Sequence, residues 1–153
     1  DILNQIHLLI VGREGKMSSS LLQQVADAGL QKKVSFLGHR TDIPALLKMA
    51  DIFVFPSRFE GLPGVLIEAE ASGLPIICTD LPMMREVVSV NKNALVFELD
   101  NEQQLANAIE KLVTDKSVRK AFAIRSKEIF KNNFEIASVH ERMLSLYQKL
   151  IIR

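Results

Sequence analysis

Short, uninterrupted apolar runs alternate with helix-patterned stretches along this chain, and any fold has to satisfy that alternation. IHLLIV (residues 6–11) reads as a buried strand and is followed by Gly12. In SSSLLQQVADAGL, Leu21, Leu22, Val25 and Ala28 fall on one helical face, and Gly29 ends the helix. VSFLG (Val34–Gly38) is a second strand, after which Thr41 or Asp42 caps a short helix through Leu46, Leu47 and Ala50. IFVFP is a third strand, closed by Pro56; a helix over residues 65–72 and the strands PIIC and ALVF (Ala94–Phe97) follow. From Asn101 onward the pattern is helical in three segments, 101–114, 117–130 and Ile136–Ile151. Strand and helix in alternation predict an α/β fold, a parallel sheet with helices on both faces and a helical C-terminal end. Hydrophobic residues make up 48% of the chain, as suits strands buried on both faces.

Bulk properties narrow the function. At 153 residues the chain is long enough for one domain with a sizeable core. A net charge of +1 supplies no global field for nucleic acid, so no nucleic-acid partner is expected. The single Cys78 excludes an internal disulfide, which points to a reducing, cytoplasmic setting. No apolar run approaches the roughly 18–20 residues that span a bilayer. The sequence opens at Asp1 without a methionine, and the expectation is a piece of a longer protein with its start missing.

Ligands of parallel α/β sheets sit at the carboxyl ends of the strands. Gly12, the segment 38–40 and the loop 57–64 all follow strands, so they are expected to share one rim. GREGK, beginning at Gly12, is not a phosphate-binding P-loop: that motif needs four residues between its glycines and Ser or Thr after the lysine. Here Met17 follows, and Gly12 is left as either a close-approach position for a ligand or a plain turn. There is no Asp-x-Asp pair, and His7, His39 and His140 are scattered, so no dedicated metal site is expected. His39 is the histidine placed on the rim. Ser57 lacks the surroundings of a nucleophile elbow. Lys111, Lys116, Arg119, Lys120, Arg125, Lys127 and Lys131 read as a solvated helical face, with membrane-surface contact as the alternative.

The stretch RFEGLPGVLIEAEASGLPIICTD (residues 58–80) holds the most chemistry. A helix starting near Gly64 aims its free N–H groups at the loop mouth, and its dipole favours an anion such as a diphosphate there. Glu68, one turn inside, would repel a phosphate but suits two vicinal ribose hydroxyls. Glu60, before the turn, would lie beyond the phosphates, where an attached sugar would sit. Diphosphate, ribose and sugar together describe a nucleotide-sugar. Spacing alone leaves a second reading open, in which Glu60 is a solvated loop residue and Glu68 a surface helix residue.

FVFPSRFEGLPGVLIEAEASGLPIICTD resembles the signature of the retaining glycosyltransferase family 4, whose members have the two-domain GT-B fold. Pro56, Ser57, Glu60, Gly61, Glu68, Ala69, Ala71, Gly73 and Pro75 carry the match. Upstream, VSFLGHRTDIPALLKMADIFVFPS is similar to the family's strand–Gly–short helix–Ala–Asp–strand segment, and FEIASVHERMLSLYQKL to its terminal helix. The resemblance implies a Rossmann-like parallel sheet, one half of a GT-B fold. Residues 1–153 would then be a single nucleotide-sugar-binding domain, lacking the acceptor domain and the start of its own. It implies that Glu60 contacts the donor sugar as the catalytic carboxylate and that Glu68 binds the ribose. Amides around Gly61, Leu62, Gly64 and Val65 would contact sugar and diphosphate, and His39 and Arg40 would seat the base. The donor, a substrate rather than a cofactor, would be a nucleotide-sugar. The EGLP turn leans toward a UDP-sugar, with an N-acetylhexosamine as one option. The acceptor would be a saccharide or a lipid-linked saccharide, which brings in peripheral membrane association at the inner face. No metal or cofactor is implied.

The chain departs from the family pattern in three ways. Pro63 stands where many members have glycine, which removes one N–H. DLPMMREVV carries Leu81, Pro82, Met83 and Met84 where Gly-Gly is frequent, although Glu86 is in place. The family's diphosphate-gripping Arg and Lys fall before Asp1. Another GT-B enzyme, such as a nucleotide-sugar 2-epimerase, and a non-catalytic binding or assembly domain are the rival readings.

Overall fold

The computed structural model describes residues 2–15 and 17–151; Asp1, Lys16 of GREGK, Ile152 and Arg153 lie outside them. The backbone divides into two compact units, Asp1–Ala45 and Leu46–Arg153.

The first unit is a βαβ motif. A 3-10 turn (Ile2–Gln5) leads into β1 (Leu8–Val11), α1 (Ser18–Asp27) and β2 (Val34–Gly38). β1 pairs with β2 in parallel, Leu8 opposite Val34, and the register shifts after Ile10 so that Val11 meets Gly38. Gly38 takes φ +63, a conformation that glycine adopts without a Cβ penalty. β1 begins two residues later than the apolar run suggests. The His7 ring instead shares a 2.9 Å hydrogen bond with the Ser35 hydroxyl.

The helix α2 (Ile43–Met49) crosses from the first unit to the second. The second unit then runs β3 (Phe53–Phe55), α3 (Gly64–Ser72), β4 (Ile76–Thr79), α4 (Pro82–Arg85) and β5 (Ala94–Phe97). The helices α5 (Glu102–Thr114), α6 (Lys116–Asn133) and α7 (Ile136–Ile151) complete it. Its three strands are parallel and ordered β3–β4–β5, with Val54 opposite Ile77 and Ile77 opposite Leu95. Every residue of β4 is buried, which is why PIIC shows no in–out alternation. Ile77 and Phe97 pack against Ala108 and Leu112 of α5 and Phe122 of α6. Strand pairing lies within each unit, two strands in the first and three in the second.

α4 escapes a periodicity reading because it is one turn long. Pro82 opens it, where a missing N–H is harmless, and Met84 is buried. Asp115 ends α5 and caps α6, accepting from the Val118 amide (3.0 Å), the Ser117 hydroxyl (2.6 Å) and the Lys111 ammonium (2.7 Å). The Lys111 bond foremost, then the other two, holds its carboxyl well below the usual range. Among the described residues, no helix is long and apolar enough to cross a membrane.

Candidate functional site

Glu60 and Glu68 stand on the β3–α3 connection and on α3 itself. β3 stops at Phe55 because Pro56 has no N–H for the ladder. The loop that follows is held at three points. Ser57 Oγ donates to Glu60 Oε1 at 2.8 Å, with Phe59 O a longer second acceptor at 3.2 Å, so the half-buried Glu60 carboxylate is oriented from within its own loop. Arg58 and Asp100, in the turn after β5, form a two-pronged ion pair, with Nη1 donating to Oδ2 at 2.9 Å and Nη2 to Oδ1. Pro63 sits at φ −77°, ψ 76°, and the Gly64 amide donates back to Leu62 O at 2.8 Å. Those values describe an inverse γ-turn, for which a proline ring supplies the φ in advance.

This turn revises one expectation. The Gly64 amide is engaged with Leu62 and is no free donor, whereas the amides of Gly61, Leu62 and Val65 have no partner among the described residues. No side chain caps α3. Three free N–H groups therefore gather at a helix N-terminus, which carries a partial positive charge. Glu68 is exposed one turn inside, with its carboxylate unpartnered, and Leu62 and Phe59 are exposed at the loop tip.

The first unit holds the remaining candidates. The Gly12 amide donates to Gly38 O at 3.0 Å, so it too is engaged, and a side chain at Gly12 would meet only open space. His39 is exposed and unpartnered at the end of β2. The Arg40 guanidinium is exposed and gripped by Asp42 through two bonds of 2.8 and 2.6 Å. Asp42, one of two expected caps for α2, thus has its carboxylate occupied by Arg40; that contact also lowers its pKa. Gly12 and residues 38–40 lie in one unit and the 57–63 loop in the other.

The model of the family described as "Glycosyl transferases group 1" matches residues 1–129. The chain belongs to the glycosyl transferases group 1 family. It is 30% identical over 144 residues to the Escherichia coli UDP-Gal:alpha-D-GlcNAc-diphosphoundecaprenol alpha-1,3-galactosyltransferase, a match covering 94% of this chain and 37% of that protein. Its fold is that of a crystal structure of Anabaena HepE in complex with UDP, with a TM-score of 0.85 and 22% identity over 97% of this chain and 44% of that one. The C-terminal domain of LpcC from Francisella tularensis, a glycosyl transferase group 1 protein, matches at TM-score 0.76 and 22% identity, over 89% of this chain and 94% of that one. The α/β architecture is that of one half of a GT-B glycosyltransferase. The chain spans well under half the length of its full-length relatives.

Around this candidate site the structure adds residues that motif reading passed over. Asp80 follows β4 and grips Arg85 of α4 through bonds of 2.5 and 2.7 Å, which lowers the carboxyl's pKa and fixes the start of the segment bearing Glu86. Glu70, two residues beyond Glu68, is fully buried. Its Oε1 accepts from Asn93 Nδ2 at 2.8 Å; Asn93 also reaches Ser126 Oγ at 3.3 Å, and Ser126 donates to Leu74 O at 2.7 Å. Oε2 has no partner, and burial pushes the Glu70 carboxyl up to about 7 against the pull of Asn93. The spacing Leu66, Ala69, Glu70 places the acid on the helix's apolar face, which is the signal that could have revealed it.

Proposed function

We propose that the chain is the donor-binding half of a retaining, metal-independent glycosyltransferase that moves a hexose or N-acetylhexosamine from a nucleoside diphosphate to a saccharide or lipid-linked acceptor. The observation that carries this reading is the set of unpartnered amides of Gly61, Leu62 and Val65 at the uncapped start of α3, with Glu68 exposed one turn inside. The amides and helix dipole would stabilise the charge that develops on the departing diphosphate as the bond to the sugar's anomeric carbon breaks. Glu68 would accept hydrogen bonds from the ribose hydroxyls. Glu60, oriented by Ser57, would contact the sugar as its carbon becomes cationic. The acceptor would enter from the face the diphosphate leaves, which retains configuration. His39 and Arg40 would seat the base, and Arg40 would do so from its pairing with Asp42. A UDP-sugar donor is supported by the E. coli relative, named for UDP-Gal, and by the UDP held in the HepE structure. The diphosphoundecaprenol in that relative's name supports a lipid-linked acceptor; on this reading the acceptor would be reached at the inner membrane face, from the cytoplasm.

Titration with UDP, GDP and ADP, followed by amide NMR shifts, tests this. The expected result is shifts at residues 60–68 and 38–40, strongest with UDP, with affinity about tenfold weaker in Glu68→Ala, the size of a lost hydrogen bond of ~1.4 kcal/mol. Shifts confined to other surfaces would reject it. In a protein that carries both halves, Glu60→Gln is expected to cut transfer about 10²–10³-fold while nucleotide affinity stays unchanged.

A further inference from the structure

Lys48 of α2 and Lys116, Arg119 and Lys120 of α6 line a groove of about 350 Å³ within the second unit, in which Asp51 is the only carboxylate. Four cations against one acid leave a surplus of three positive charges. Among the described residues, Arg40, Arg58, Arg85, Lys111 and Arg125 each pair with a carboxylate, whereas Lys48, Lys116 and Lys120 have no partner. Helix stability does not account for the cluster. Three of its cations fall in the first five residues of α6, the end where the helix dipole disfavours positive charge, and the first turn holds no acid. Arg119 is half-buried and anchored: its Nη1 donates to Leu112 O at 2.6 Å and Val113 O at 3.0 Å. Its Nε and Nη2 are left without a partner among the described residues. Beneath the cations the lining is apolar, with Leu47, Leu74 and Pro75 all buried. Low-dielectric walls under charges of one sign focus their field on the opening. The groove lies at the entry to β4, whereas the 57–63 loop follows the exit of the parallel strand β3, so the two occupy opposite ends of the three-stranded sheet.

We propose that this groove is a second ligand site, which binds a compact soluble anion carrying two or more phosphoryl groups, a diphosphate being the smallest. A surplus of three charges calls for a multivalent anion, since a monoanion would leave most of it uncompensated. Ammonium groups with rotatable donors and a guanidinium fixed at one nitrogen both suit phosphoryl oxygens. The volume sits at the small end of ligand sites, which favours a compact ligand over a macromolecule. An occupant at the strand-entry end leaves the candidate donor loop open.

Titration of the chain with inorganic pyrophosphate at constant ionic strength, followed by amide NMR shifts, tests this. The expected result is saturable shifts at residues 48–51, 72–74 and 116–123. K48Q/K120Q is expected to bind about tenfold more weakly or worse, as befits two lost charge-assisted bonds. The charge-matched control K92Q/K149Q should bind within about twofold of the parent, and unchanged melting would show both variants folded. UDP in place of pyrophosphate separates two sources of the phosphoryl groups. Equal groove shifts with UDP would mean that the groove also takes nucleoside diphosphates, and UDP shifts confined to residues 60–68 would mean that it takes free oligophosphates. Pyrophosphate shifts that are absent from the groove, equal weakening in the two variants, or sulfate binding the groove as tightly as pyrophosphate overturns the proposal.

Discussion

Glu70 and Glu68 stand two residues apart on α3, one with no exposed surface and the other in solvent. Burial makes the neutral form of Glu70 the stable one in the fold, raising its pKa from 4.5 to about 7. The folded protein then holds a proton that the unfolded chain releases, so stability falls as pH rises between those values and levels off above them. At the alkaline plateau the ionised form costs on the order of 3 kcal/mol. Glu70→Gln keeps an acceptor for Asn93 and carries no charge. Its denaturation midpoint is expected to lose that slope and to exceed the parent's at pH 8, as urea titrations at a series of pH values would measure. The candidate carboxylates Glu60 and Glu68 could be singled out from the sequence because they flank a glycine–proline turn between two apolar runs. The long-range ion pair that anchors the loop carrying Glu60 could not. Nothing local in Arg58 announces Asp100, which reaches it only once β5 has paired with β4.

At the scale of elements, strands and long helices follow the apolar pattern closely, and the residues that end them are the ones physics demands. Gly73 closes α3 at φ 75°, and a Cβ there would lie 2.5 Å from the Lys127 side chain. Gly73→Ala is expected to lower stability by about 1–2 kcal/mol, mostly through the left-handed backbone, since the lysine stem can swing aside. A thermal melt would show it. Asp115→Ala removes the cap of α6 and the partner of Lys111, and is expected to lower the melting temperature. The 3-10 turn at Ile2–Gln5 and two further features resisted sequence reading. α4 spans a single turn, too short for a 3.6-residue period to register, and the start of β1 was overrun because His7 and its apolar neighbours resemble strand residues.

At the scale of the whole molecule, the buried cluster of Ile77, Phe97, Ala108, Leu112 and Phe122 draws on β4, β5, α5 and α6. α7 contributes no buried residue and exposes Ile136, Leu146, Tyr147 and Leu150. A chain ending at Asn133 is therefore expected to keep the amide spectrum of the 57–63 loop and to unfold within about 1 kcal/mol of the parent, as paired urea titrations would reveal. The alternation of strand and helix disclosed this architecture, but strand pairing within two separate units has no signature in a linear pattern. The loop between β3 and α3 carries a further consequence. With Glu60 fixed by Ser57, Arg58 by Asp100, and the turn by the Pro63 ring, its shape is settled when the protein folds rather than when a ligand arrives. Under the proposed function, an incoming nucleotide would meet a mould already set. Little freedom is then lost on contact, and the empty and occupied loops should superpose to within about 1 Å.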